Sequence, residues 1–230
     1  MNQLIATAII LTRTDYGEAD RILTVLTPQH GKLRLMAKGV RRIKSKLAGG
    51  IELFSVSDIT FIMGRKDIGT LTSARLARHY GRIVDDITRV QLGYDLLRIL
   101  NRNTEDAVSA DYFTLLDGAL QALDTPDVTP ATTSIWFGAQ LLALAGHTPN
   151  LQTDASGAPL RSDNMYDFSY DAMALVAHAN GAYGADQIKF LRLIFGGYTP
   201  AVLEQVRGSA QLVQASMPLI RSMLQEFLRI

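Results

Sequence analysis

The segment RILTVLTPQHGKLRLMAK, residues 21–38, decides the fold of the first part of the chain. Two runs within it, residues 21–27 and 32–38, are rich in β-branched residues or alternate between apolar and polar positions, a pattern typical of β-strands. The turn-forming sequence TPQHG, residues 27–31, lies between them. We therefore expect two strands joined by a turn.

Similar apolar runs occur on both sides of this segment. They cover residues 4–12, 52–63 and 69–76, with no long helical pattern among them. A small antiparallel barrel buries such short strands without leaving an open sheet edge. The first part of the chain is therefore predicted to form a five-stranded β-barrel of the OB type.

The period of the apolar residues changes after residue 82. Residues 83–102 carry them at helical spacing, and further helices are predicted over 111–123, 131–146, 170–179, 185–196 and 199–229. Pro218 is expected to kink or split the last helix. Residues 147–169 are rich in turn formers and are predicted to be irregular. The overall class is α+β, with an OB-fold barrel over 1–82 and an all-α helical domain over 83–230.

The charges divide at the same boundary, although the formal net charge of the chain is only +1. Residues 1–82 contain 14 Lys and Arg against 6 Asp and Glu, and residues 83–230 contain 9 basic and 16 acidic residues. The field of the first part attracts polyanions, and that of the second part repels them.

The basic residues are most concentrated in KGVRRIKSKLAGG, residues 38–50. Five cations lie within residues 38–46, and residues 31–51 contain no acidic side chain. Other cations of the same half are Arg13, Arg21, Lys32, Arg34, Arg65, Lys66, Arg75 and Arg78. A solvated surface loop is one interpretation. An unbalanced strip on a barrel is also the electrostatic pattern of a nucleic-acid-binding surface.

Such a surface would bind the phosphate backbone without reading sequence. Lys and Arg that neutralise phosphates release counterions whatever the bases are, and the first half shows no recognition helix for a DNA groove. Its aromatic residues are sparse: Tyr16, Phe54, Phe61 and Tyr80. We therefore expect no extensive platform for base stacking.

The composition argues against several kinds of enzyme. The chain has no cysteine, which excludes disulfides, thiol nucleophiles and cysteine-bound metals and suits a reducing cytoplasm. Its four histidines are scattered, Asp85 and Asp86 suit a helix start, and no glycine pair begins a phosphate-binding loop. The apolar N-terminal run resembles a strand rather than a signal peptide or membrane span. We predict a cytoplasmic binding protein with no catalytic site, no cofactor and no membrane contact.

Residues 14–61, TDYGEADRILTVLTPQHGKLRLMAKGVRRIKSKLAGGIELFSVSDITF, together with IGTLTSARL at 68–76, resemble the RecO family of bacterial recombination mediators. The acidic opening, the Thr-Pro and His-Gly turn and the Lys-Gly-x-Arg-Arg-x-Lys-Ser run agree in order and spacing. The helical part agrees more weakly, in pieces such as LLALAGHTPNL at 141–151.

The resemblance implies an OB-fold followed by a helical domain, and a role in DNA repair and recombination. It implies binding of single- and double-stranded DNA, annealing of complementary strands, and assistance to RecA loading together with RecR. It also implies contact with the acidic C-terminal tail of single-strand-binding protein, and a location in the nucleoid. The DNA-binding residues it implies are Arg34, Lys38, Arg41, Arg42, Lys44 and Lys46, which the charge argument also selects.

One feature of many family members is absent from this sequence. A four-cysteine zinc knuckle would follow the LLALAGHTPNL segment, but Thr153 and Ser156 stand where a first cysteine pair would lie. Neutral hydroxyls do not form a stable tetrahedral zinc site, and His147 and His178 cannot replace four ligands. We predict no zinc and a loop over 147–169 held by turn chemistry.

Two other functions fit parts of the sequence. An OB-fold RNA-binding or ribosome-associated factor would show the same charge pattern. A metal-dependent nuclease would need clustered carboxylates, which the sequence does not offer convincingly.

Overall fold

The computed structural model describes residues 3–64, 68–104 and 109–230. Arg65, Lys66 and Asp67, which the sequence places in a turn, lie outside these ranges. By its internal contacts the chain divides into two units, residues 1–124 and 125–230. The first unit therefore contains the strands and two helices. The domain boundary at 82/83, where the sequence period changes, stays a prediction.

Five strands of the first unit form a closed barrel in the order β1-β2-β3-β5-β4. They are β1 (Gln3–Tyr16), β2 (Asp20–Thr27), β3 (Gly31–Ala37), β4 (Ser55–Ile62) and β5 (Ile68–His79). Only β3 and β5 pair in parallel, and the other neighbours are antiparallel. The predicted five-stranded barrel is confirmed.

Alternation along the strands separates the barrel core from its outer surface. On β3, Leu35 and Ala37 are fully buried among the core residues of the other strands. Since successive side chains of a strand point to opposite faces, Arg34 points outward, and it is exposed. The core pattern thus fixes the orientation of one predicted site residue, while Lys38, the first residue after β3, is exposed in the following turn.

Two helices, α1 (Ile87–Asn103) and α2 (Ala110–Asp124), belong to the same unit as the barrel. The predicted helix over 83–102 begins later than expected, because residues 81–85 form a 3-10 turn and the carboxylate of Asp86 caps α1 by accepting from the backbone N–H of Arg89 at 2.9 Å. Phe54 packs edge-on against Tyr94 of α1, with ring centroids 5.2 Å apart. Lys32 of β3 donates to the carbonyls of Asn101 and Thr104. One of the 14 cations of the first half therefore caps the end of a helix.

A second link connects the end of β5 to α2. The Tyr80 hydroxyl donates to Asp117 at 2.5 Å, and Arg78 donates to both of them at 3.0 Å. Burial of the phenol, reinforced by its bond to Asp117, raises the pKa of Tyr80 to about 12. Arg78 is thereby a structural cation.

The second unit combines helices with a small sheet. Its elements are α3 (Pro130–Leu144), β6 (Asn150–Asp154), β7 (Tyr166–Ser169), β8 (Ala174–Ala177), α4 (Ala185–Phe195), α5 (Pro200–Glu204) and α6 (Ser209–Phe227). The strands form a sheet in the order β6-β8-β7. The prediction of an all-α domain is wrong in this respect.

Two predictions for this region are corrected by the sheet. Residues 147–169 are not wholly irregular, because they contain β6 and β7, and the helix predicted over 170–179 does not form. In its place, β8 pairs with both neighbours and buries Leu175 completely. Pairing between distant segments thus determines this region.

The last predicted helix, over 199–229, is divided at residues 205–208 rather than at Pro218. Gly208 adopts a left-handed conformation, φ +75°, immediately before α6, and such a residue does not continue a helix. Pro218 lies inside α6.

Candidate nucleic-acid interface

The basic loop, defined here as residues 38–46, follows β3 and is fixed to the turn between β1 and β2. The backbone N–H of Gly39 donates to the Asp20 carboxylate at 2.7 Å, and that of Arg41 donates to the Ala19 carbonyl at 2.9 Å. Within the loop, the N–H of Arg42 donates to Gly39 at 3.1 Å. The path of the loop is therefore held by hydrogen bonds to the barrel.

Apolar residues hold both ends of the loop against the barrel. Val40 is only 4% exposed and belongs to the barrel core, as does Ile51, and Leu47 packs against that core. Gly50 approaches β5 so closely that a Cβ there would lie 2.5 Å from the carbonyl of Ala74. Hence Gly50 of the Gly-Gly pair permits a close approach of two backbones.

The structure brings five of the six predicted site residues onto this loop. They are Lys38, Arg41, Arg42, Lys44 and Lys46, and all five are exposed. The sixth, Arg34, is exposed on the outer face of β3, where it pairs with Thr24 of β2. It precedes Lys38 by four residues, about 13 Å along a strand. OB-folds bind oligonucleotides with the face of strands 2 and 3 and with the loops between strands 1 and 2 and between strands 4 and 5. The basic loop connects β3 to β4 and contacts the turn between β1 and β2.

Several barrel cations outside the predicted site differ from the site residues because they pair with carboxylates. The close ion pairs of the barrel cations are Arg13–Glu52 at 3.0 Å, Arg21–Asp15 at 2.8 Å, Arg75–Asp58 at 3.3 Å and Arg78–Asp117 at 3.0 Å. Within residues 3–64, 68–104 and 109–230, no carboxylate lies within 4.0 Å of the charged groups of Arg34, Lys38, Arg42, Lys44 or Lys46. These five cations are therefore available for an external anion.

Arg41 is intermediate between the two groups. It lies 3.5 Å from the Asp15 carboxylate and donates weakly to the Gly17 carbonyl at 3.4 Å. The hydrogen bond from Arg21, with the added attraction of Arg41, holds the pKa of Asp15 below its ordinary value. Asp15 therefore stays ionised and competes with any anion for Arg41.

Three of the side chains that a catalytic site could use have structural partners. Asp86 caps α1, His147 stacks on Phe227 with centroids 4.5 Å apart, and His178 lies 2.6 Å from Asp167. The described part of the chain contains no group of three or more His, Cys, Asp or Glu that could hold a metal ion. The absence of an active site stays a prediction.

The place of the family's zinc knuckle is occupied by a hydrogen-bonded turn. Asp154 Oδ1 accepts from the backbone N–H groups of Ser156 and Ala158 at 2.9 and 3.0 Å and from the Ser156 hydroxyl at 2.6 Å. The Ser156 bond is the main reason why the pKa of Asp154 is lowered. Thr153 Oγ1 accepts from the Asn150 amide at 2.8 Å. The hydroxyls at 153 and 156 are thus committed to this turn, and these residues do not fit a zinc site.

Sequence reasoning missed three features near the predicted sites. The first is the contact of the Asp15 and Asp20 carboxylates with Arg41 and Gly39 of the basic loop. Only the pairing of β1 with β2 brings these carboxylates to the loop. The second is Ile43, whose side chain is fully exposed, and whose position between Arg42 and Lys44 is visible in the sequence. The third is a groove beside Arg221 on α6, which is defined by the packing of helices.

The closed barrel with unpaired cations on its outer face defines an OB-fold protein with a surface suited to polyanions. The chain belongs to the recombination protein O family. The family model described as Recombination protein O N terminal matches residues 1–80, and that described as Recombination protein O C terminal matches residues 85–228. The resemblance noted from the motifs is thereby confirmed.

Several curated relatives carry the name DNA repair protein RecO. The protein of Bifidobacterium longum subsp. infantis is 36% identical over 148 residues, covering 63% of this chain and 62% of that protein. The protein of Bifidobacterium adolescentis is 33% identical over 175 residues, covering 75% and 71%. That of Streptomyces coelicolor is 36% identical over 149 residues, covering 61% and 60%. The chain therefore matches less than two thirds of the length of the first and third of these relatives.

None of the helices in the described ranges has the length and apolar character needed to cross a membrane.

Proposed function

We propose that this chain acts in DNA repair and recombination by binding single- and double-stranded DNA without sequence preference. The observation that carries the proposal is a loop fixed to an OB-fold barrel, whose exposed cations have no carboxylate partners in the described part of the chain. The relatives named DNA repair protein RecO support the same role.

The affinity comes from the release of counterions when cations replace them at the phosphates. Neutralising about five phosphates on a single strand gives a slope of log K against log[salt] near −3.5, and on duplex DNA near −4.5. The hydrogen bonds that hold the loop reduce the ordering cost of binding, since its backbone is positioned before DNA arrives. Binding should therefore be tight at low salt and weak at high salt.

Strand annealing follows from the same surface. Two complementary strands bound to one cationic face repel each other less and meet at a raised local concentration. No nucleotide hydrolysis enters this process. We propose that the protein promotes annealing in this way and assists RecA loading together with RecR.

The test compares two charge reversals of equal size. The double substitution Arg42→Glu/Lys44→Glu removes two unpaired cations of the basic loop. The double substitution Arg75→Glu/Arg98→Glu changes the net charge equally at exposed cations that already pair with carboxylates. Fluorescence anisotropy with a labelled single strand over a salt series should show a slope shallower by about 1.4 for the loop variant.

The control variant should keep nearly the full slope, and thermal unfolding of the loop variant should match that of the unsubstituted protein. If both variants lost affinity equally, binding would depend on the total charge of the protein and not on the basic loop. An affinity independent of salt would contradict phosphate binding altogether.

Mixing complementary strands without ATP separates the competing functions. Faster duplex formation supports annealing, preference for structured RNA supports the RNA-binding alternative, and magnesium-dependent cleavage supports a nuclease. Adding RecR, single-strand-binding protein and RecA to the same strands then tests whether RecA filaments form faster in the presence of this protein.

We also propose that the second unit binds an acidic tail of single-strand-binding protein. A groove of about 610 Å³ lies beside α6. Its lining combines apolar side chains, among them Val213, Met217 and Pro218, with polar Gln214, Ser222 and Gln225 and with Arg221. Among the cations on other helices, Arg98 pairs with Asp95 at 3.0 Å and Lys189 pairs with Asp186 at 3.5 Å. Arg192 donates to the Leu151 carbonyl at 2.8 Å, and Arg102 lies in the last turn of α1, where it complements the helix dipole.

We propose that Arg221 binds a carboxylate of that tail while the groove takes its apolar residues. Calorimetry with a synthetic peptide of the tail should show about tenfold weaker binding for Arg221→Glu, the size expected for a lost charge-assisted hydrogen bond. Lys189→Glu, which makes the same charge change on α4, should bind the peptide unchanged. Equal effects of both substitutions would refute the groove as the site.

A further inference from the structure

Ile43 at the tip of the basic loop is unusual for its exposure. Its relative exposure is 103%, and among the large apolar side chains of the described ranges the next most exposed is Ile5 at 73%. The two other large apolar residues near it, Val40 and Leu47, pack on the barrel core. Of these three apolar side chains, Val40 is buried, Leu47 is half-buried against the core and Ile43 faces solvent.

The local backbone places Ile43 at the tip on a fixed support. The N–H of Ser45 donates to the Arg42 carbonyl at 2.9 Å, which closes a turn with Ile43 and Lys44 at its two central positions. Such positions favour Gly, Pro, Asn, Asp or Ser, and a β-branched residue offers the turn no advantage. The turn itself therefore gives no structural reason for an exposed isoleucine at this position.

The neighbours of Ile43 define the chemistry of its partner. Arg42 and Lys44 are exposed on either side, and neither has a carboxylate within ion-pair distance in the described part of the chain. A partner that satisfies both kinds of side chain carries anions spaced along an apolar surface. A nucleic-acid strand has this pattern, because its phosphates alternate with the flat faces of its bases.

We propose that Ile43 is an apolar wedge that contacts the bases of a DNA strand while Arg42 and Lys44 bind the adjoining phosphates. The inference rests on the proposed DNA binding and deepens it. Apolar side chains inserted between bases must unstack them, which costs a few kcal/mol per step in a duplex. Unstacked bases of a single strand are contacted at a lower cost, so the wedge favours single strands over duplex.

The distinguishing measurement is a salt series with Ile43→Thr, which keeps the branched shape of the side chain and removes most of its apolar character. For an oligo(dT) strand, Kd should rise about fivefold to tenfold at every salt concentration, since part of the apolar burial is lost. The slope against log[salt] should stay unchanged, because no phosphate contact is removed. For a duplex of equal length, Kd should change less than twofold.

A matched control is available on β1. Ile5→Thr makes the same chemical change at an exposed site outside the loop and should leave both affinities unchanged.

An Ile43→Trp variant provides a direct probe, because the chain has a single tryptophan, Trp136, and that residue is buried. Its added fluorescence should be quenched by oligo(dT) through stacking on the bases.

The outcomes separate the wedge from the DNA binding on which it rests. If the unsubstituted protein binds DNA with a steep salt slope and Ile43→Thr binds equally well, the wedge is wrong and the charge mechanism stands. If the unsubstituted protein shows no salt-dependent binding, the proposed function itself fails. A loss on both DNA forms with a changed slope would show that Ile43 only shapes the loop, which overturns the wedge.

A membrane surface also combines anions with apolar groups and is tested in parallel. Binding to phosphatidylserine vesicles that is lost in Ile43→Thr, while oligo(dT) binding persists, would assign the side chain to lipid and overturn the proposal.

Discussion

Substituting Gly50 by alanine tests whether the close approach of two backbones positions the basic loop. A Cβ at residue 50 would lie 2.5 Å from the carbonyl carbon and oxygen of Ala74 and 2.7 Å from its Cβ. A Cβ on the neighbouring Gly49 would meet nothing within 4 Å. Two adjacent glycines thus provide a test position and its matched control.

The expected cost follows from the position of Ala74 in the barrel. Nonbonded carbon atoms prefer separations of about 3.5–4.0 Å, so the added methyl group must displace something by about 1 Å. Ala74 is paired with Ile59 in the β4–β5 ladder, which resists that displacement. Overpacking of this kind costs about 1–3 kcal/mol, and the reduced entropy of the unfolded chain offsets about 0.4–1 kcal/mol.

We therefore expect Gly50→Ala to lower the free energy of unfolding by about 1–2 kcal/mol, which for a chain of this length lowers Tm by about 2–8 °C. Gly49→Ala should leave Tm unchanged or slightly higher. Gly50 and Ile51 hold the segment that follows the basic loop against the barrel. We therefore expect Gly50→Ala also to bind oligo(dT) more weakly than Gly49→Ala. Thermal unfolding by circular dichroism and anisotropy measure the two effects. Equal Tm and equal affinity for the two variants would refute the positioning role.

Three further predictions concern carboxylates and a phenol. Asp15→Asn should tighten oligo(dT) binding about twofold to threefold at low salt, because it releases Arg41 and removes a nearby negative charge. Tyr80→Phe should lower the free energy of unfolding at pH 8 by about 1 kcal/mol, because the bond to Asp117 is lost. The pKa of Tyr80 is raised to about 12, so its contribution is complete below about pH 10 and is lost as the pH rises toward 12. Asp154→Ala should destabilise the second unit at pH 7, and that difference should vanish in acid, because the lowered pKa of Asp154 makes its contribution present above about pH 4 and lost below.

Each of these predictions has its own check. Asp58→Asn removes a carboxylate beside Arg75 and should leave oligo(dT) binding nearly unchanged, so an equal gain would point to net charge alone. Urea unfolding of the unsubstituted protein and of Tyr80→Phe at pH 8 and pH 11 tests the contribution of the Tyr80 hydroxyl. If the free energy of unfolding fell equally in the two proteins between these pH values, the raised pKa of Tyr80 would be contradicted. Asp154→Asn keeps a side-chain oxygen for the turn and should unfold much like the unsubstituted protein, whereas equal damage from Asn and Ala would argue against the hydrogen bonds.

The barrel could be predicted because its signals are local. Alternation along residues 21–27 and 32–38 and the turn between them specify a paired unit without reference to the rest of the chain. The ends of the strands were less predictable, since they depend on partners. For example, β1 continues to Tyr16 because that residue pairs with Asp20.

The sheet of the second unit could not be predicted from local signals. Its strands have only four or five residues, too few for a period to be distinguished. Their stability comes from the pairing of β6 with β8, between which β7 intervenes in the chain. The burial of Leu175 and the contact of Gly181 with the backbone of Tyr166 appear only when the segments meet.

The positions of the six candidate DNA-binding residues could be predicted, but their availability could not. Composition gives the first half an excess of cations without saying which of them remain unpaired. In the folded barrel, Glu52, Asp58 and Asp117 each lie beside an arginine outside the basic loop, so those arginines contribute little to an external field. The cations of residues 38–46 are left as the main concentrated positive surface among the described barrel residues. A chain of identical composition with two of these carboxylates moved into residues 38–46 would have the same net charge and no such surface, so the capacity to bind a polyanion depends on placement and not on the total charge.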